Sequence, residues 1–396
     1  MSISRKPHSK WRERRIYGII HPVYECRKEY ERKRRNPKKS MIQEFDLTQI
    51  VEPLQNWFEH NARVLPWRNK PLAYYVWVSE IMLQQTRVEA VKPYFERFIL
   101  ELPDVEALAK CEEDRLLKLW EGLGYYNRVR NMNIAARQVM EEYGGVIPSD
   151  YKTLQKLKGI GHYTAGAISS IAYGRPYPAV DGNVLRVLSR VSMDSSDIMK
   201  QSVKNLYEEL LTLLMQEENT KVVPAKFNQA LMELGACVCV PNGEPHCMEC
   251  PLKALCEAHK NGNPLDYPVK SKAKQRRVEP RTVLVVKDDE RVALHKRPLK
   301  GLLAGLYELP NLDGDLSPEE VLAFLKSHGF SPIRIQKLPD SNHIFSHVLW
   351  QMTAYVLKVE ENYDQTLNWV FVKKEDAKEN YAIPSAFHAY TEWIKG

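Results

Sequence analysis

From about residue 44 to 260, apolar side chains return every three to four positions, with few β-branched runs and only short polar breaks between the periodic stretches. That spacing predicts amphipathic helices and an all-α region. Val184, Leu185, Val187, Leu188 and Val191 fall on one helical face. Residues 261–279 are polar, basic and punctuated by Pro and Gly, the composition of a linker. Beyond them the period changes. Arg281–Val286, Arg291–Lys296, Val348–Val359 and Leu367–Val372 are rich in Val, Leu and aromatic residues and predict strands, whereas Pro318–His328 and Ser385–Ile394 predict helices. Residues 280–396 therefore read as an α+β domain, and the chain as a multidomain protein.

Charge adds one feature. The net charge of +7 is uneven: residues 1–40 hold 14 Lys and Arg against four Glu, leaving 43 Lys and Arg against 46 Asp and Glu elsewhere. Residues 1–43 thus read as a basic, disordered extension, and any polyanion binding by the rest must come from local patches. No apolar run approaches the ~18 residues of a membrane span, and the basic N-terminal stretch lacks the apolar core of a signal peptide. The expectation is a cytoplasmic protein without membrane attachment.

Five of the seven cysteines fall between residues 237 and 256. Cys239, Cys247, Cys250 and Cys256 form C-x7-C-x2-C-x5-C, which can wrap four thiolates around one centre in a compartment where disulfides are disfavoured. Zinc and a [4Fe–4S] cluster are both open; one compact loop with a single C-x2-C favours the cluster. Cys237 reads as a small buried hydrophobe beside this loop.

Residues 157–168, LKGIGHYTAGAI, read as helix, tight turn, helix. Gly159 and Gly161 around one apolar residue let backbone N–H groups near His162 approach a phosphate closely, although such a turn also joins helices that bind nothing. Twenty residues on, Asp181 precedes the apolar face of the next helix, where it can cap that helix or hold an ionised carboxylate for chemistry. Glu80 lies in YYVWVSEIMLQQTR (74–87), an apolar setting that favours a protonated acid. An acid paired with an ionised carboxylate is the arrangement that cleaves glycosidic bonds through an oxocarbenium-like transition state. Thr86 and Glu89 fit a capping box, placing Gln84 and Gln85 at a helix junction.

Taken together, LPWR (65–68), SEIMLQQT (79–86), GLGYYNRVRN (122–131), LKGIGHYTAGAI (157–168), PAVDGNV (178–184), FNQALMELGA (227–236) and the four-Cys loop resemble the MutY-type adenine DNA glycosylases of the helix-hairpin-helix superfamily, over about residues 45–396. The resemblance implies a six-helix barrel at about 70–179, a [4Fe–4S] domain built from the flanking segments, and a C-terminal domain of Nudix fold. It implies removal of adenine opposite 8-oxoguanine, or opposite G, from double-stranded DNA by a monomer that associates with the nucleoid. Glu80 matches the general acid, Asp181 the oxocarbenium stabiliser, and Tyr163 and Asn183 their hydrogen-bonding supports. Arg68, Leu83, Gln85 and Gln229 match positions around the extruded adenine. Gln84, Gly159, Gly161 and His162 match DNA contacts. Tyr126 matches an aromatic wedge beside 8-oxoguanine, with Tyr125 read as core, and Phe345, Ser346 and His347 match the loop that inspects that base.

Three contrasts, two with related enzymes and one with the family's own spacing, sharpen the resemblance. Tyr163 occupies the place of the lysine that gives related enzymes lyase activity, which implies a monofunctional glycosylase. The alternatives are a glycosylase and lyase for oxidised pyrimidines, and a DNA sensor without catalysis. The C-terminal domain lacks the Glu-rich helix with which Nudix hydrolases hold Mg²⁺, so nucleotide hydrolysis is not expected. The first cysteine spacing is one residue longer than the family's C-x6-C, with Pro241-Asn242-Gly243 as the turn that absorbs it.

Overall fold

The computed structural model describes residues 40–271, 275–361 and 366–395. The expected disordered extension at residues 1–43 lies almost wholly outside the described residues. The chain divides into two compact units, one holding Asn61–Ala179, Val223–Gln229 and the residues from Ser271 onward, the other holding the residues up to His60 with Val180–Val222 and Ala230–Lys270.

In the first unit, α1 (Ala73–Leu83), α2 (Val88–Glu101), α3 (Asn127–Tyr143) and α4 (His162–Ala167) form the helical part with several shorter helices. Helix α1 is apolar all round and buries Val76, Trp77, Val78, Ile81 and Met82, as a central core helix should. Phe95 and Phe98 of α2 and Val129, Ala135, Ala136 and Val139 of α3 pack into the same core. Close approach is built in at Gly166, where a Cβ would meet the Pro178 carbonyl oxygen at 1.9 Å. The residues before Asp181 are held by Asn228, whose side chain accepts from the Ala179 N–H (3.0 Å) and donates to Ser170 Oγ (2.7 Å) and the Tyr177 carbonyl (2.8 Å). The expected capping box is absent: α2 is capped at Arg87, and the Thr86 hydroxyl donates to the Gln84 carbonyl instead.

In the second unit, α5 (Gly182–Val191) carries the apolar face read from the sequence. Helix α6 (Pro224–Cys237) runs into the cysteine loop and gives its first residues to one unit and the rest to the other.

The C-terminal part of the first unit is a seven-stranded mixed sheet of β1 (Arg277–Lys287), β2 (Arg291–Lys296), β3 (Tyr307–Glu308), β4 (Asn311–Asp313), β5 (Pro332–Ile344), β6 (Val348–Val359) and β7 (Trp369–Lys373). The central β1 pairs in parallel with β6 over eleven residues. Val283 and Val285 face one apolar layer, closed by Phe387, Tyr390 and Ile394; Leu284 and Val286 face the other, closed by Val321 and Leu325 of α7 (Pro318–Ser327). Burial on both faces explains why β1 reads as a continuous apolar run. Strand β5 was not foreseen, because it is an edge strand interrupted by Pro339-Asp340-Ser341 and mostly exposed. The Ser385–Ile394 helix is a 3-10 turn over Ser385–Tyr390 followed by a short α-helix. No helix among the described residues is long and apolar enough to cross a membrane.

Candidate active site

Glu80 sits on the third turn of α1 and is buried. A buried acid needs hydrogen-bond partners, and the Tyr163 hydroxyl donates to Glu80 Oε2 in a short hydrogen bond. Tyr163 is the second residue of α4, so the turn at Gly159-Ile160-Gly161 delivers it. Gly159 adopts φ +79°, and a Cβ there would meet Asn131 Cβ at 2.7 Å; both constraints select glycine. Gly161 caps α4 in an extended conformation, and a Cβ on it would meet nothing within 4 Å. His162 is exposed at the helix start, with its Nδ1 3.1 Å from the Tyr151 hydroxyl.

The four residues expected around an extruded base separate into two groups. Arg68 Nε donates to Gln229 Oε1 (3.1 Å), while Arg68 also donates to the Arg63 carbonyl and Gln229 to the Ala225 carbonyl. Leu83 and Gln84 end α1, and Gln85 follows in the left-handed region at φ +61°.

Asp181, in the other unit, is the N-cap of α5. One carboxylate oxygen accepts the N–H groups of Asn183 (2.9 Å) and Val184 (2.8 Å), and the other accepts from Asn183 Nδ2 (2.7 Å). Burial pushes this carboxyl above its ordinary value of 3.8, against those hydrogen bonds and the charge of Arg186, which lower it. The capping and functional readings of Asp181 are therefore compatible: the cap fixes the carboxylate's position.

Two arginines that sequence reasoning passed over lie on the same helix. Arg186 donates to Asn183 Oδ1, the Gly235 carbonyl and the Cys239 carbonyl, each at 2.8 Å. Arg190 donates to Cys239 Sγ (3.2 Å) and to the carbonyls of Val240, Pro264 and Tyr267. Both are buried. Their signal was two basic residues four apart, interrupting an otherwise apolar stretch. Asp181, Asn183, Arg186 and Cys239 thus form one connected chain of hydrogen bonds.

Cys239, Cys247, Cys250 and Cys256 line one cavity with Val187, Leu234 and Val238. The longer first spacing closes on itself through the His246 N–H to Val238 carbonyl bond, with Gly243 at φ +76°. Burial, reinforced by the neighbouring cysteines, pushes the Cys250 thiol up to about 12. Among the described residues no three His, Cys, Asp or Glu side chains converge closely enough to hold a single metal ion.

The two tyrosines are placed oppositely to expectation. Tyr126, the N-cap of α3, has a helical conformation and is buried in the core. Tyr125, expected in the core, follows Gly124 at φ +48°, which swings its ring outward to 52% exposure. Its hydroxyl lies 3.1 Å from Ser346 Oγ. Phe345, Ser346 and His347 form the tight turn between β5 and β6, closed by the Phe345 N–H to Val348 carbonyl bond; Phe345 packs edge-on against His343 and Trp350. Tyr125, Phe345, Ser346, His347, Leu302 and Pro384 line a cavity of about 780 Å³.

Residues 78–213 match the family model of the HhH-GPD superfamily base excision DNA repair protein, and residues 281–393 match the NUDIX domain. An adenine DNA glycosylase of Rattus norvegicus is 34% identical over 374 residues, covering 80% of this chain and 71% of that protein. One from Buchnera aphidicola subsp. Acyrthosiphon pisum is 32% identical over 305 residues, covering 77% of this chain and 85% of its own. Among solved structures, a thermostable thymine-DNA glycosylase aligns at 26% identity with a TM-score of 0.46, over 54% of this chain and 95% of its own.

Proposed function

The chain belongs to the adenine DNA glycosylase family, a DNA N-glycosylase family of base excision repair, and from that premise we propose that it releases adenine paired with 8-oxoguanine, and also with G, by a monofunctional mechanism. The observation that carries the mechanism is the buried Glu80 carboxyl held by the Tyr163 hydroxyl.

Glu80, protonated in its apolar setting, gives its proton to adenine N7. The C1′–N9 bond then breaks with its electron pair going to the base, which leaves as neutral adenine, and positive charge develops on the sugar. Asp181, ionised, stabilises that oxocarbenium charge, its position fixed by three hydrogen bonds from Asn183 and Val184. Glu80, now a carboxylate, assists the water that attacks C1′. Tyr163 carries no amine, so no Schiff base forms and the strand stays intact. The polar edges of Arg68, Gln85 and Gln229 suit recognition of an extruded base.

Cys239, Cys247, Cys250 and Cys256 would hold a [4Fe–4S] cluster, which when bound supplies a cross-link for the loop and no step at the sugar. Four thiols lining one cavity in a single compact loop suit a centre of this kind. Arg190 donating to Cys239 Sγ suits a thiolate.

On the opposite strand, Tyr125 and Ser346 are the proposed readers of 8-oxoguanine, with Phe345 and His347 shaping the turn. The test is incubation of the full chain with duplexes holding adenine opposite 8-oxoguanine, G or T. Free adenine from the first two and strand cleavage only after alkali are expected; nicking without alkali moves the chain to the lyase reading.

A further inference from the structure

The Arg128 side chain, on the first turn of α3, is half-buried, and among the described residues no carboxylate pairs with it. Its acceptors are instead five backbone carbonyls. Nη1 donates to those of Ile81 (2.6 Å), Met82 (3.3 Å) and Gln84 (2.7 Å), and Nη2 to those of Leu123 (2.9 Å) and Gly124 (3.1 Å). The first set is the C-terminal end of α1, where unpaired carbonyls and the helix dipole favour a cation. The second set is the glycine-rich turn before Tyr125. The guanidinium also lies 5.3 Å from the Trp120 ring centroid and 5.7 Å from that of Tyr125.

Each terminal nitrogen therefore serves a different loop. The residue after each loop's last held carbonyl is a non-glycine in the left-handed region, Gln85 at φ +61° and Tyr125 at φ +48°. Such conformations persist only where the surroundings over-determine them, and they collect at working sites. We propose that Arg128 is a positioning residue that clamps the adenine-side loop, Leu83-Gln84-Gln85, and the opposite-base loop, Leu123-Gly124-Tyr125, into one rigid reader of both strands. The inference rests on the glycosylase reading of those loops and adds the coupling between them. A lysine ammonium cannot replace it, because a point charge lacks the planar fork that reaches both loops at once.

The test uses the full chain on duplexes with adenine opposite 8-oxoguanine, and on the same duplexes with 2-aminopurine at the excised position, whose fluorescence reports base extrusion. Arg128→Lys is expected to lower both the single-turnover rate and the extrusion signal about tenfold, as loss of a fork at a bidentate site should. A second measurement leaves Arg128 in place: Gln85→Ala and Tyr125→Ala are combined, and the clamp predicts that the double variant departs from the product of the single effects by about fivefold or more. Wild-type rate and extrusion in Arg128→Lys, or independent effects of Gln85 and Tyr125, overturns the clamp. A wild-type chain that releases no adenine overturns the glycosylase reading instead, so the two failures are distinct.

Discussion

The Tyr125 hydroxyl and the Ser346 hydroxyl lie 3.1 Å apart, so two side chains from the helical part and the sheet part of one unit satisfy each other across the cavity they line. A purine placed between them has to take over that hydrogen bond. One neutral hydrogen bond contributes about 1 kcal/mol, roughly a fivefold effect. Ser346→Ala is therefore expected to lower the ratio of adenine release opposite 8-oxoguanine to release opposite G by about that factor. Paired single-turnover assays measure the ratio, and an unchanged one removes Ser346 from the reading of the lesion.

Asp181 links pH to both activity and stability. Its carboxyl is raised above 3.8 in the fold, chiefly by burial, and the proposed mechanism requires the ionised form. Activity should thus fall on acidification through a value above 3.8, and Asp181→Asn should be inactive while still binding DNA. For stability the sign is opposite. A folded-state value above the unfolded one means that the folded chain binds the proton more tightly, so this group's contribution is most favourable below 3.8 and declines as pH rises through the raised value. Asn can still cap the helix. Asp181→Asn is accordingly expected to melt at or above the wild-type temperature at neutral pH; a clearly lower melting temperature would show that hydrogen bonding outweighs the cost of burying the charge.

Arg186 donates to acceptors in Gly182, Asn183, Gly235 and Cys239. Truncation to Ala leaves them unpaired, and stranding buried groups of this kind costs about 3 kcal/mol. Arg186→Ala should lower stability by that order in a denaturant titration and slow adenine release, since Asn183 also donates to Asp181. Full stability with full activity would mean that the chain of bonds from Cys239 to Asp181 carries no energy.

The four cysteines make a separate claim. The purified chain should be brown, with a broad visible absorbance, and Cys250→Ser should lose that colour and the stability that metal binding lends to folding. A colourless chain carrying zinc would leave the glycosylase assignment intact and remove only the cluster.

Part of this was legible from residue order because several of the proposed site residues sit where helices begin. Asp181 and Gly161 precede apolar helical faces, and caps of this kind announce themselves in sequence. Glu80 was visible as one acid in an apolar helix. The C-terminal strands were readable where both faces are buried, as in β1, and not where an edge strand is exposed and broken by proline, as in β5. Tyr125 and Tyr126 could not be sorted, because the choice depends on a left-handed residue after Gly124, which periodicity does not register. Arg128, Arg186 and Arg190 were missed for a related reason: their partners are mainly backbone carbonyls, which have no sequence signature. Thr86 looked like a cap and is not one, since Arg87 holds the extended conformation at the start of α2.

The most direct test of the central claim compares wild type with Glu80→Gln in single-turnover adenine release from duplexes holding adenine opposite 8-oxoguanine. General acid catalysis contributes about 10²- to 10⁴-fold, so the variant should lose at least a hundredfold in rate while keeping its fold and its affinity for the duplex. Release at the wild-type rate by Glu80→Gln would show that the proton comes from elsewhere and that the site is built around a different group.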